Sequence, residues 1–154
     1  MEVDGTVIPQ STSQLRYIGK VGGLYPTDPL EAAFADAAVG ASIDIFVLVQ
    51  TAFHEKDDER KMQMEENIAE TSIPAWCANV EKALKSAGGQ YFAGGKLSIG
   101  DLAVVGMLNN FRNGAVTGTP TTIVDDYPLL MSLIERVMAE PKIAAYMEAL
   151  PKKK

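Results

Sequence analysis

From Pro29 to the C-terminus the apolar residues return at every third or fourth position, the period of a helix that buries one face. Ala32, Ala35, Val39, Ile43, Phe46 and Val47, then Gln50 and Phe53, trace one long helix from about Pro29. The charged stretch His54–Glu66 continues or interrupts it. Pro74 suits the first turn of another helix, whose buried face is Trp76, Val80, Ala83, Leu84 and Ala87, and Gly88-Gly89 stops it. Ser98-Ile99-Gly100-Asp101 opens a further helix that is apolar nearly all round, through Leu102, Ala103, Val105, Met107 and Leu108. That is the pattern of a fully buried central helix. Asn113–Thr122 is a Gly/Thr/Pro loop, and two short helices close the chain, Pro128–Met138 and Pro141–Leu150. Most of this chain can only be a helical bundle.

The first 25 residues follow a different pattern. Glu2-Val3 and Thr6-Val7-Ile8 flank Asp4-Gly5, and Asp-Gly between β-branched residues signals a hairpin, because its type I′ turn needs positive φ. Ser11-Thr12-Ser13-Gln14 has the spacing of a capping box, with Ser11 as N-cap. A short helix follows with Leu15, Ile18 and Val21 on one side, ended by Gly22-Gly23. The two prolines of Leu24–Pro29 mark a linker. The expected organisation is a ββα unit over residues 1–25 and an all-α domain of five or six helices over 26–154. A two-stranded hairpin is marginal alone, so the ββα unit reads as the end of something larger.

Composition narrows the function. Fourteen Lys and Arg stand against 20 Asp and Glu, a net charge of −6. Phosphate contacts need a basic field, so no nucleic acid and no anionic membrane surface is expected as a partner. One cysteine, Cys77, and one histidine, His54, leave no disulfide, no redox CxxC pair and no Cys/His metal site. The start has neither a basic n-region nor an apolar h-region, which argues against a signal peptide. The longest apolar runs, Ile45–Val49 and Leu102–Leu108, fall far short of the ~20 residues of a membrane span. Lys152–Lys154 reads as a solvated tail. A cytoplasmic setting fits.

At this point three stretches resemble the cytosolic glutathione transferases. The first is Glu2-Val3-Asp4-Gly5, Pro9-Gln10-Ser11, Leu15-Arg16-Tyr17-Ile18-Gly19 and Gly23-Leu24-Tyr25. It resembles the family's thioredoxin-like domain entered at its third strand. The second, Gly94-Gly95-Lys96-Leu97-Ser98-Ile99-Gly100-Asp101-Leu102-Ala103, resembles the family's G-x-x-[ST]-x-A-D helix start. The third is Tyr127-Pro128-Leu129-Leu130 with Arg136-Val137 and Pro141-Lys142-Ile143. Gln-Ser before the first helix and Leu-Tyr after it resemble the tyrosine-type classes, sigma and pi among them. The resemblance implies a mainly α fold: the family's C-terminal bundle preceded by a ββα remnant of its glutathione-binding domain.

The resemblance also implies a site. Free N–H groups and the positive dipole end at Ser11 make an anion site, and in the family this position holds the γ-glutamyl end of glutathione, with Gln10 beside it. A serine here equally serves as an ordinary cap. Asp44, an acid among Ile43, Ile45 and Phe46, matches the family's carboxylate that crosses to the neighbouring subunit's glutathione; an exposed helix face explains it as well. Gln50 and His54 fall near the family's hydrophobic-substrate pocket, although a histidine beside Glu55-Lys56-Asp57-Asp58 is also an ordinary surface residue. Ser98 and Asp101 are assigned to stability, as a cap worth on the order of 2 kcal/mol. Cys77 is a small core residue. No residue here is assigned as catalytic. The hydroxyl that holds the family's glutathione thiolate lies in a strand, or the loop after it, that this sequence does not contain, and none of its five tyrosines lies in the corresponding element.

The expectation is a glutathione-transferase-family chain that binds glutathione without a metal. It would be part of an enzyme conjugating glutathione to electrophiles, with the catalytic-hydroxyl region absent and a homodimer or other partner chain completing it. The alternative is a non-catalytic binding or structural module of the same fold in a larger assembly.

Overall fold

A computed structural model describes residues 1–150; the expected lysine tail lies outside them. The hairpin joins β1 (Glu2–Val3) to β2 (Thr6–Val7), pairing Glu2 with Val7 and Val3 with Thr6. Asp4 and Gly5 both take positive φ, 47° and 77°, as the type I′ turn requires. Seven α-helices follow: α1 Ser11–Val21, α2 Pro29–Phe53, α3 Asp58–Asn67, α4 Ile73–Ser86, α5 Ile99–Arg112, α6 Pro128–Met138 and α7 Pro141–Ala149. A π-helical stretch, Ile68–Ser72, joins α3 to α4 and absorbs the turn before Pro74.

Helix α5 is the axis of the bundle. Val104, Leu108 and Phe111 are fully buried, and α5 packs against α2 on one side and α6 on the other. The crossing with α2 is close at Gly100, where a Cβ would stand 2.8 Å from the Ala35 carbonyl oxygen and 3.0 Å from the Ala38 Cβ. Glycine costs up to about 1 kcal/mol of helix propensity relative to alanine, and here it is what lets the two backbones approach. The start of α5 is held from three sides. The Asp101 carboxylate accepts the Ser98 N–H at 2.7 Å, the Ser98 hydroxyl at 2.7 Å and the Phe92 N–H at 2.9 Å. Ser98 and Asp101 form a reciprocal capping box. Both are buried, Asp101 completely.

Helix α2 runs the length of the bundle. Asp28 caps it by accepting the Leu30 and Glu31 N–H groups, and it stops at His54, so the charged stretch interrupts the helix and restarts as α3 behind the Asp57 cap. Its buried residues are Ala35, Ala38, Val39, Ser42, Ile45 and Ala52, whereas Ile43, Phe46, Val47 and Phe53, expected in the core, are exposed. At 25 residues, with a window of mean hydropathy 1.9, α2 is the one helix among those described that is long and apolar enough to cross a membrane. Asp36 and Asp44 break the apolar runs, yet the surrounding residues keep the window average in the range of a span.

The ββα unit is fastened to the bundle by α1 and the linker. Gly19 sits directly against Ile99, and the Ile99 N–H donates to the Leu24 carbonyl at 2.9 Å. Arg16 Nε donates to Asp36 Oδ1 at 2.8 Å and the Tyr25 hydroxyl to Asp36 Oδ2 at 3.0 Å. Asp36 holds the Arg16 guanidinium above its usual pKa, and burial, with the Asp36 hydrogen bond, raises that of Tyr25. Of the apolar side expected on α1, Leu15 is half-buried while Ile18 and Val21 are exposed.

Candidate functional site

The turn from β2 into α1 differs from the expected cap. Ser11 is the first residue of the helix, and Gln10 is the N-cap, with φ 65° and ψ 120° and no side-chain cap bond. Gln14 makes no capping box; its amide donates to the Ile8 carbonyl at 2.8 Å and pins the incoming strand. The first intrahelical bond runs from the Gln14 N–H to the Gln10 carbonyl, which leaves the N–H groups of Ser11, Thr12 and Ser13 without a protein acceptor among the described residues. Positive φ in a residue other than glycine is strained, at a cost on the order of 1–3 kcal/mol. Gln10 and Ser11 are exposed and their side chains make no hydrogen bond among the described residues. An uncapped helix start on a strained turn is a stronger anion site than a capped one, because the donors and the dipole stay available.

This helix start opens onto a cleft of about 190 Å³ between α1, α2 and α5. Ser11 and Thr12 form its polar lip, and Leu15, Ile43, Phe46 and Met107 its apolar wall. Phe46 also borders an open depression of about 510 Å³ further along α2, which holds Gln50 and His54. Eight residues separate Phe46 from His54, about 12 Å of helix. Ser11 thus lines the cleft and Gln50 and His54 the depression, and Phe46 is the residue the two openings share. His54 ends α2, edge-on to Phe53 at 5.2 Å between ring centres, and is exposed.

Asp44 lines neither of these openings. Residues 39, 42, 43 and 46 face the cleft, and at 100° per residue Asp44 points to the other side of α2. There it borders a cavity of about 400 Å³ between α2 and α4. Within one chain it cannot reach a ligand at Ser11. Ala83 and Ala87, expected in the core, line the same cavity. The phenylalanine and methionine walls of the cleft, Phe46 and Met107, went unrecognised as site residues. Their signal was present as large apolar side chains on faces left over once α2 and α5 had packed together.

The other reactive side chains are withdrawn from both openings. Burial pushes the Cys77 thiol up to about 12, aided by the nearby Glu81 carboxylate. The Tyr127 hydroxyl donates to the Pro74 carbonyl at 3.0 Å. Tyr91 lies beside Glu140 and under Arg136. No tyrosine lines the Ser11 cleft. No group of three or more potential metal-ligating side chains occurs among the described residues.

Residues 43–149 match the model of the glutathione S-transferase C-terminal domain. The chain belongs to the glutathione S-transferase family. The mouse glutathione S-transferase A3 is 28% identical over 148 residues, 96% of this chain and 64% of that protein. The chicken hematopoietic prostaglandin D synthase is 29% identical, over 99% of this chain and 72% of that protein. Among solved structures, prostaglandin synthase D of Nilaparvata lugens superposes with a TM-score of 0.86 at 30% identity, over 99% of this chain and 73% of that one. The chain thus spans between about two thirds and three quarters of these relatives. The helical bundle with a two-stranded hairpin and α1 before it agrees with the mainly α fold and ββα unit expected from the motifs of a glutathione S-transferase family member.

Proposed function

We propose that this chain holds glutathione at the start of α1 and an apolar electrophile along the α2 groove, as part of a cytoplasmic, homodimeric enzyme. That enzyme conjugates glutathione or carries out a related thiol-dependent isomerisation. The observation that carries this is the pairing of three unclaimed N–H groups at Ser11, Thr12 and Ser13 with an apolar cleft immediately beside them. The γ-glutamyl carboxylate would take the N–H groups and hydroxyl of Ser11 and its neighbours. Gln10 would meet the α-amine or carboxylate with its amide. A sulfur substituent would run over Ile43, Phe46 and Met107 toward Gln50 and His54. Asp44, on the opposite side of α2, serves glutathione only if it belongs to the other subunit, which favours a homodimer. The prostaglandin D synthases among the relatives fit an apolar substrate, and their similarity supports a tyrosine-type class.

A calorimetric series of S-alkylglutathiones tests this. Each methylene that enters an apolar cleft contributes up to about 0.8 kcal/mol, and partial burial of a hexyl chain predicts about tenfold tighter binding than for S-methylglutathione. Phe46→Ala should remove most of that gain, and Ser11→Ala should weaken both ligands alike. Equal affinity along the series, or no binding at all, would overturn the proposal.

One observation favours the second reading, a non-catalytic module of the same fold. With no tyrosine in the cleft, the chain has no such phenol placed to lower the thiol pKa. The 154-residue chain alone should therefore bind glutathione without conjugating it to a standard aromatic electrophile.

A further inference from the structure

The asparagines Asn67, Asn79, Asn109 and Asn110 lie inside helices, and each precedes a residue with a sizeable side chain. Asn113 differs on both counts. It is the C-cap of α5, and Gly114 follows it. Asn113, Gly114 and Ala115 are all exposed. The Asn113 side-chain amide makes no hydrogen bond among the described residues. Backbone bonds alone close the turn. The Gly114 N–H donates to the Phe111 carbonyl at 3.2 Å and the Ala115 N–H to the Asn110 carbonyl at 3.0 Å, with Gly114 left-handed at φ 68°. This is a Schellman ending, but Ala115 and Asn110 are both exposed and give it no apolar contact. Nothing crowds the Gly114 nitrogen: a Cβ there would meet nothing nearer than Thr121 Cγ2 at 3.7 Å.

We propose that Asn113 is a site of spontaneous covalent modification, deamidating through a cyclic imide formed with Gly114. The Gly114 nitrogen loses its proton and attacks Asn113 Cγ. The new N–Cγ bond closes the ring, the Cγ–Nδ2 bond breaks, and the side-chain nitrogen takes up a proton and leaves as ammonia. Water then opens the ring at either carbonyl. Breaking the new bond leaves aspartate at 113, and breaking the original peptide bond leaves isoaspartate. Only water is consumed. With Asn113 at ψ 5°, the two cap bonds must first let go, which is fraying at the exposed end of α5. The product loosens that end. A carboxylate at 113 meets the negative pole of the α5 dipole, and isoaspartate sends the chain through an added methylene that the two cap bonds cannot both span. Val116, two residues beyond Gly114, is buried in the main core, so a displaced turn pulls on the bundle. None of this rests on the glutathione reading.

The test holds the full chain at pH 8 and samples it over weeks by peptide mapping in a mass spectrometer, with isoaspartate measured by an isoaspartyl methyltransferase. Replacement of NH2 by OH should appear at Asn113 ahead of every other asparagine, with isoaspartate among the products. The rate should be about tenfold below that of the same chain unfolded in guanidinium chloride, because reaction waits on the fraction with both cap bonds open. Aged wild type should unfold at a lower temperature than fresh protein. Asn113→Gln, whose side chain would have to close a larger ring, should show no gain at 113 and no such drift. No gain at Asn113 in the native chain while the unfolded chain is converted would overturn the proposal. So would a gain that comes first at another asparagine, or modified wild type that unfolds unchanged.

Discussion

Replacing Asp101 with alanine tests the start of α5, on which the bundle turns. The sequence alone suggested a cap worth on the order of 2 kcal/mol. The structure raises that figure. The carboxylate is fully buried and accepts from the Ser98 N–H, the Ser98 hydroxyl and the Phe92 N–H. The hydroxyl can turn to another acceptor, but the two N–H groups lose the carboxylate that accepts them in the buried interior, each at about 1–3 kcal/mol. Relief of the buried charge offsets part of this. Asp101→Ala should therefore cost about 3 kcal/mol, a fall in Tm on the order of 10 °C for a domain of this size. Urea denaturation at neutral pH measures it, and Asp101→Asn, which keeps one acceptor oxygen, should recover part of the loss. An unchanged midpoint would refute the assignment. The pH dependence gives an independent check. Burial lifts the Asp101 carboxyl above its ordinary 3.8, against the pull of its hydrogen-bond donors. The native chain then holds that proton to higher pH than the unfolded chain does. The stability of wild type relative to Asp101→Asn should be greatest below about pH 3.8, fall as pH rises through the raised value, and level off above it.

Other outcomes follow from the same geometry. Gly100→Ala gains helix propensity yet drives a methyl into the Ala35 carbonyl, so a net loss of about 1–3 kcal/mol is expected, and a stabilised variant in thermal unfolding would contradict the close crossing. Arg16→Ala removes an ion pair about one third exposed and should cost less than about 1 kcal/mol; a larger loss by the same measurement would mean that Arg16 holds the ββα unit through more than Asp36. Cys77, buried with its thiol near 12, should resist a thiol reagent at pH 8 until the chain is unfolded in urea, and prompt labelling of the native protein would disprove its burial.

Much of the bundle could be read from the periodicity of α2, α4 and α5, because a buried face leaves its mark at every third or fourth position. What could not be read was which apolar residues stay at the surface. Phe46 and Val47 repeat with helical period as Val39 does, but no described element packs over their side of α2. Ala83 and Ala87 look like core residues, and they line a cavity because alanine is too small to fill the gap between helices. The role of Gly100 lies in a crossing between distant elements and has no local signature. Gln10 and Ser11 were legible as a helix start, yet the shift of the cap from Ser11 to Gln10 depends on a strained backbone that composition does not encode. The hairpin offers an edge only two residues long on each side. Very short edge strands are poor templates for pairing with another chain.

The backbone amide resonances of Ser11, Thr12 and Ser13 test the central claim most directly. If the strained turn at Gln10 holds the γ-glutamyl group, titration with S-methylglutathione should shift these three amides together, in a saturable manner, with Ser11→Ala weakening the response. Unmoved amides at the start of α1, or shifts confined to the cavity between α2 and α4, would contradict it.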